Sequence, residues 1–105
     1  MEEDKFELSP EIYDLAKHLL DLYELAYDEI KPEVIYIISK NVKNVRYIES
    51  VLDKLLDIPT DKSYELYSML CNYYGEFNMG AAKFYLDSWD EMYGKNITKT
   101  KKKGH

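Results

Sequence analysis

Few side chains in this 105-residue sequence are suited to chemistry. His18 is the only histidine before His105, and Asp14 and Asp21 lie at spacings that place all three on one flank of a helix. Such a set could bind a metal ion, but carboxylates around a single histidine more often form a solvated helix face. The Glu-x-x-His pattern of di-iron bundles is absent, because Leu15 stands three residues before His18. We therefore predict no metal site and no cofactor.

Nucleophilic catalysis would depend on Cys71, the single cysteine. It lies on an apolar stripe, where a cysteine generally packs as a small hydrophobic residue, and its only candidate base, His18, belongs to another predicted helix. Gly75 and Gly80 have the spacing of a phosphate-binding loop, but two alanines follow where Lys and Ser or Thr belong. The carboxylates follow helical spacing on polar faces, with nothing to gather two of them in a pocket. We predict that the protein is not an enzyme.

Tyrosine is the unusual residue: the chain contains eleven, against three phenylalanines and one tryptophan. A buried phenol hydroxyl needs a hydrogen-bond partner, so not all eleven are expected in the core. Exposed aromatic side chains are enriched at protein interfaces, where they supply large contact areas. From this we predict an aromatic interaction surface in the second half of the chain. Its members are Tyr64, Tyr67, Tyr73, Tyr74, Trp89 and Tyr93.

Cationic residues are concentrated in two places in an otherwise acidic chain. No acid lies between Glu33 and Glu49, and five lysines but no acids follow Gly94. Lysine, arginine and asparagine are the side chains that contact phosphates and base edges, which makes nucleic-acid binding the alternative function. The net charge is −6, and leaving out the five tail lysines gives −11 for residues 1–94, a charge that opposes such binding. The candidate contacts are Lys40, Asn41, Lys43, Asn44, Arg46, Lys99, Lys101, Lys102 and Lys103.

The elements that would position these residues are helices. Apolar residues recur at steps of three and four from Ile12 to Ile30, after a start signal at Ser9-Pro10, and Pro32 is expected to end this first helix. Residues 32–59, bracketed by Pro32 and Pro59, are predicted to form a long second helix, with a break near Asn41 or Asn44 as the alternative. The β-branched residues 34–38 could form a strand, but no second strand candidate exists to pair with them.

Two further helices follow the central stretch. One begins at Thr60 or Asp61 and stops at Gly75, and the other begins at Asn78 and ends at Gly94. The sequence therefore predicts an all-α, compact bundle of about four helices in a single domain, residues 1–94. Residues 95–105 are expected to form a basic, disordered tail.

These features favour a non-enzymatic protein–protein interaction or self-association module with an acidic, tyrosine-rich surface, such as a small inhibitor or adaptor. A protein partner or a homo-oligomer is expected, and nucleic acid is the less favoured partner. The acidic N-terminus is unlike a signal peptide, and no apolar run approaches the roughly 20 residues needed to span a bilayer. We expect an intracellular, cytoplasmic protein with no membrane attachment.

Overall fold

The computed structural model of the chain describes residues 9–94. They form four α-helices, α1 (Pro10–Ser39), α2 (Val45–Leu56), α3 (Asp61–Gly75) and α4 (Met79–Trp89), and α4 continues into a π-helical turn, Asp90–Gly94. These residues contain no strand, which confirms the prediction of an all-α bundle of four helices. The predicted basic tail, residues 95–105, lies outside the described residues.

The first helix is the longest, at 30 residues, and the prediction of a long second helix is wrong. Ser9 caps α1, since its side chain accepts a hydrogen bond from the Ile12 amide, and Pro10 occupies the first turn. Pro32 was expected to end α1, but the helix continues through it to Ser39. An interior proline removes one helical hydrogen bond. Burial of Val34 and Ile37 beyond it is the stabilising contribution that offsets this loss.

The break predicted near Asn41 or Asn44 is present, and it is where α1 ends. The Asn41 amide donates to the Ile38 carbonyl and the Val42 amide donates to the Ile37 carbonyl, with Asn41 at a φ of 53°. This is a Schellman motif, and asparagine is one of the few residues that tolerate its left-handed position. Asn44 then caps α2 by accepting a hydrogen bond from the Tyr47 amide. Two asparagines therefore stop one helix and start the next within four residues.

The third helix lies at the centre of the bundle, in contact with α1, α2 and α4. Thr60 caps it, as one of the two predicted residues, and Asn78 caps α4 as predicted. Gly75 ends α3 as predicted, although no described glycine has a positive φ. A Cβ on Gly75 would lie 3.4 Å from the Cβ of Ala82 on α4, at the short end of ordinary van der Waals contact. The end of α3 and the start of α4 therefore lie close together at this glycine.

The N-terminal part of α1 extends beyond the bundle. Every residue from 10 to 22 is exposed, whereas Ile30, Val34 and Ile37 are buried against the other helices. At 1.5 Å per residue, this exposed part of α1 is about 20 Å long. The radius of gyration, 17.1 Å, exceeds the roughly 13 Å expected for a compact domain of about 100 residues, as such an extension requires. Residues 10–22 are called the α1 extension below.

Candidate interaction surface

The residues considered for metal binding and catalysis are not brought together. His18, Asp14 and Asp21 all lie on the exposed α1 extension, and no group of histidine, cysteine or carboxylate side chains in the described part of the chain could hold a metal ion. Cys71 is almost fully buried on α3, and burial raises the pKa of its thiol to about 12. A thiol with this pKa carries very little thiolate near neutral pH, which makes it a poor nucleophile.

The predicted aromatic surface is largely internal. Tyr67, Tyr73, Tyr74 and Trp89 are buried, whereas Tyr64 is exposed and Tyr93 is half-buried. Four of the rings connect α3 with the end of α4 and the turn after it. The Trp89 ring centroid lies 5.2 Å from that of Tyr64, 5.0 Å from that of Tyr67 and 4.8 Å from that of Tyr93. The rings of Tyr73 and Tyr74 instead pack against Phe77. These aromatic side chains therefore hold the bundle together, and most of their surface is not available to a partner.

The tyrosine hydroxyls join one helix to another. Tyr73 donates a hydrogen bond to the carbonyl of Val42 at 2.7 Å, Tyr93 donates to that of Leu56 at 2.6 Å, and Tyr67 donates to a carbonyl on α4. The first two carbonyls lie at or next to helix ends, where the backbone lacks helical partners. Each of these tyrosines therefore packs its ring in the bundle and donates its hydroxyl hydrogen to a backbone carbonyl.

Tyr74 differs from these tyrosines because its hydroxyl donates to a carboxylate. The acceptor is Glu49 Oε2 on α2, at 2.6 Å, and the Tyr74 side chain is fully buried. Burial, and secondly the hydrogen bond to the Glu49 carboxylate, raise the pKa of Tyr74 to about 12. Both effects favour the neutral phenol, so this hydroxyl is a structural donor rather than an acid or base at neutral pH.

Part of the predicted aromatic set does reach the surface. Tyr64, Trp89 and Tyr93 line an open cleft of about 370 Å³ between the start of α3 and the turn that follows α4. Its remaining lining is Pro59, Thr60, Asp61, Asp90 and Gly94. The two aspartates give it an acidic rim. Of the six predicted interaction residues, these three line an open cleft, and their role in an interaction stays a prediction.

The predicted cationic patch lies at the corner between α1 and α2, where Lys40, Asn41, Lys43 and Arg46 are exposed. Asn44 is also exposed, but its side chain is occupied in capping α2. The Lys43 ammonium lies 4.9 Å from the centroid of the Phe77 ring, a cation–π contact with the bundle itself. Nucleic-acid binding through this corner remains a prediction. The four tail lysines assigned to it lie outside the described residues.

An exposed row of apolar side chains on α1 was not predicted. On one side of the α1 extension, Ile12 is 52% exposed, Leu15 69%, Leu19 47% and Leu22 47%. These four residues, together with Ala16 and His18, line a shallow apolar depression of about 440 Å³. We call Ile12, Leu15, Leu19 and Leu22 the α1 apolar face.

This face is continuous with the core of the bundle. Leu19 and Leu22 also line a cleft of about 430 Å³ at the base of the extension, together with the core residues Ile30 and Ile58. The ion pair between Lys54 and Glu33, at 3.3 Å, lies beside this cleft. The opposite side of α1 is acidic, because Asp14, Asp21 and Asp28 recur at intervals of seven residues and are exposed.

A signal for this face was present in the sequence. The apolar stripe of the first segment runs from Ile12 through Ile30, and the three helices that follow α1 contain 12, 15 and 11 residues. Helices of 11 to 15 residues are too short to pack against one another and also to cover a 30-residue helix along its whole length. A compact bundle was predicted from these apolar stripes, and an uncovered apolar face on the first helix was therefore not expected.

No protein-family model, curated protein or solved structure matches the chain. Within residues 9–94, no helix has both the length and the apolar character required to cross a membrane.

Proposed function

We propose that the protein is a non-enzymatic interaction module that binds another polypeptide chain through the α1 apolar face. The exposure of Ile12, Leu15, Leu19 and Leu22 on one side of a helix is the observation that supports this proposal. An isolated apolar side chain at a surface is ordinary, but a contiguous row of four is typical of a binding site. A second helix is the natural occupant, because apolar residues at steps of three and four present a ridge for helix packing.

The geometry of the extension supports this role. A helical segment of about 13 residues without tertiary contacts is marginal in water, so the α1 extension gains most of its stability when a partner covers it. The base of the extension is fixed, since Ile30, Val34 and Ile37 are buried in the bundle. The Lys62 ammonium also pairs with the Glu24 carboxylate at 2.8 Å, just beyond the extension. The bundle thus presents the face in a defined direction.

The acidic, tyrosine-rich surface proposed from the sequence has a smaller part in this function. The carboxylates of Asp14, Asp21 and Asp28 lie on the far side of α1 from the apolar face, where they keep the extension hydrated. The cleft formed by Tyr64, Trp89 and Tyr93 is a secondary contact site in this proposal. A role as inhibitor or adaptor is compatible with binding through α1.

A binding experiment with two matched variants tests the proposal. The purified chain is immobilised through its C-terminal end. It is then exposed to soluble copies of itself and, separately, to an extract of the cells in which it is naturally expressed. Ile12→Glu places a charge on the apolar face, whereas Leu25→Glu places the same charge about 140° away on the same helix, at a residue that is 62% exposed. We expect binding of a polypeptide that Ile12→Glu reduces at least about tenfold and that Leu25→Glu leaves within about twofold.

Two results would overturn the proposal. One is the absence of any polypeptide bound to the unmodified chain in either sample. The other is binding that both variants retain equally, because the contact would then lie elsewhere on the molecule. Circular dichroism melting of each variant shows that the bundle is folded, as expected for substitutions at exposed sites.

A further inference from the structure

The apolar positions of α1 are arranged symmetrically about Leu19. Ala16 and Leu22 lie three residues to either side of it, Leu15 and Tyr23 lie four, and Ile12 and Ala26 lie seven. A spacing that reads the same in both directions is what a helix needs in order to pack against an antiparallel copy of itself. Alanines occupy two of these six positions.

We propose that two copies of this chain associate through antiparallel α1 helices, with a two-fold axis at Leu19. This inference rests on the proposed function and identifies its partner as a second copy. In this arrangement Ile12 of one copy meets Ala26 of the other and Leu22 meets Ala16, so a large side chain faces a small one in these two pairs. Leu15 meets Tyr23, which makes the third pair a contact between two large side chains. Leu19 meets its own symmetry mate at the axis. Large residues opposite small ones let two helices approach closely and interdigitate.

The bundle fits the ends of this helix pair. The antiparallel overlap extends from residue 10 to residue 28, so all of the α1 extension is covered by the other copy. The tip of each extension then reaches the partner's cleft at the base of α1, where Ala26, Ile30 and Ile58 line an open volume of about 430 Å³. Ile12 is the side chain that enters this cleft. The overlap ends on Tyr23 and Ala26 of the partner, which are half-buried against its own core but also line the open cleft.

The distribution of charge permits this pairing. Asp14, Asp21 and Asp28 lie on the side of α1 that faces away from the second copy, so their carboxylates remain in water. The residues nearest the axis are apolar, apart from His18 on the flank. The two acidic bodies repel each other at long range, an effect that salt screens over about 10 Å at 0.1 M. Association of the two copies is therefore expected to strengthen as salt is added.

The contact between the two helices is small. A strip of 19 residues is about 28 Å long and about 10 Å wide, which gives a projected area of roughly 560 Å² for two copies. Stable interfaces bury about 1,200–2,000 Å² in total, so even with the side chains interdigitated this contact belongs to the weak, reversible class. We expect a monomer–dimer equilibrium with a dissociation constant on the order of micromolar or above.

Sedimentation equilibrium of the full chain, from micromolar to millimolar concentration, tests the proposal. The unmodified chain is expected to shift from monomer to dimer, with tighter association in about 500 mM salt than in about 50 mM. Leu19→Glu brings two carboxylates together at the axis and is expected to weaken association at least about tenfold. Leu25→Glu, about 120° away on the same helix, is expected to change it less than about twofold. A monomer at every concentration would overturn the proposal.

Cross-linking tests the position of the axis. In a Leu19→Cys variant the two introduced thiols face each other, and oxidised glutathione is expected to convert most of the protein at dimer-forming concentration into a disulfide-linked dimer. Leu25→Cys is the control and is expected to cross-link much more slowly. The native Cys71 does not compete, because it is buried within the bundle. Equal cross-linking of both variants would refute an axis at Leu19.

Failure of this inference is distinguishable from failure of the proposed function. A chain that remains monomeric but binds a different polypeptide, with sensitivity to Ile12→Glu and not to Leu25→Glu, contradicts the dimer and retains the function. A chain that neither self-associates nor binds any polypeptide through this face contradicts both.

Discussion

Several tyrosines in this protein connect separate parts of the bundle through their hydroxyl groups. Tyr73, Tyr74 and Tyr93 each donate a hydrogen bond to an acceptor on another helix or at a helix end, and their rings are wholly or partly buried. A hydrogen bond to a charged acceptor contributes more to stability than one to a carbonyl. Among the three, the Tyr74 hydroxyl is therefore expected to contribute most.

We predict that Tyr74→Phe lowers the free energy of unfolding at pH 7 by about 1.5–3 kcal/mol, because the Glu49 carboxylate loses its donor. Chemical denaturation measures this difference. Tyr64→Phe is the matched control on the same helix, since the Tyr64 hydroxyl makes no hydrogen bond within residues 9–94 and its side chain is 39% exposed. The control is expected to change stability by less than about 0.5 kcal/mol. Equal losses in the two variants would contradict this account of Tyr74.

The raised pKa of Tyr74 gives that contribution a defined pH dependence. The folded-state pKa is about 12 and lies above the value of about 10 in the unfolded chain. The contribution of this phenol is therefore complete below pH 10 and is lost as the pH rises through 12. The stability difference between the unmodified chain and Tyr74→Phe should narrow over that interval.

The sequence could show that these tyrosines needed hydroxyl partners, but not which partners they have. The Tyr73 acceptor, the Val42 carbonyl, lies 31 residues away, and the Tyr93 acceptor lies 37 residues away. Such pairings depend on how the helices cross, which local periodicity does not determine. This is why an aromatic surface predicted from composition is found mainly in the core.

At the scale of helices, sequence signals were most accurate at the caps. Thr60, Asn78 and the start at Ser9-Pro10 were identified because capping is local and depends on one or two side chains. The prediction that Pro32 ends the first helix was wrong. The proline does remove a helical hydrogen bond, but burial of the β-branched residues after it stabilises the helix by more than this loss. The second helix is therefore shorter than predicted, and the first is longer.

We predict that Pro32→Ala stabilises the protein by about 1–3 kcal/mol. Pro32 is exposed within α1, so alanine restores a helical hydrogen bond and removes a steric clash without changing the core. Thermal unfolding should show a rise in melting temperature of several degrees. Lys31→Ala, at the exposed neighbouring position, should change stability by less than about 0.5 kcal/mol. An unchanged or lower melting temperature for Pro32→Ala would show that α1 is adapted to the proline.

Across the whole molecule, stability is distributed unevenly along α1. Ile30, Val34 and Ile37 are buried and belong to the core, whereas residues 10–22 are entirely exposed. Opening of the first part of the helix therefore exposes little additional apolar surface, while opening of the last part requires the bundle to unfold. One continuous helix thus contains a segment that depends on the bundle and a segment that depends on a partner.

We predict that native-state hydrogen exchange resolves this gradient. At micromolar concentration, amides of residues 14–22 should exchange with little protection, as in an isolated helix of marginal stability, while those around Val34 and Ile37 should exchange only on global unfolding. At millimolar concentration, dimer formation should raise protection in residues 14–22 of the unmodified chain. Protection should not rise in Leu19→Glu. If residues 14–22 were as protected as Ile37 in dilute solution, the extension would be stable alone and would need no partner.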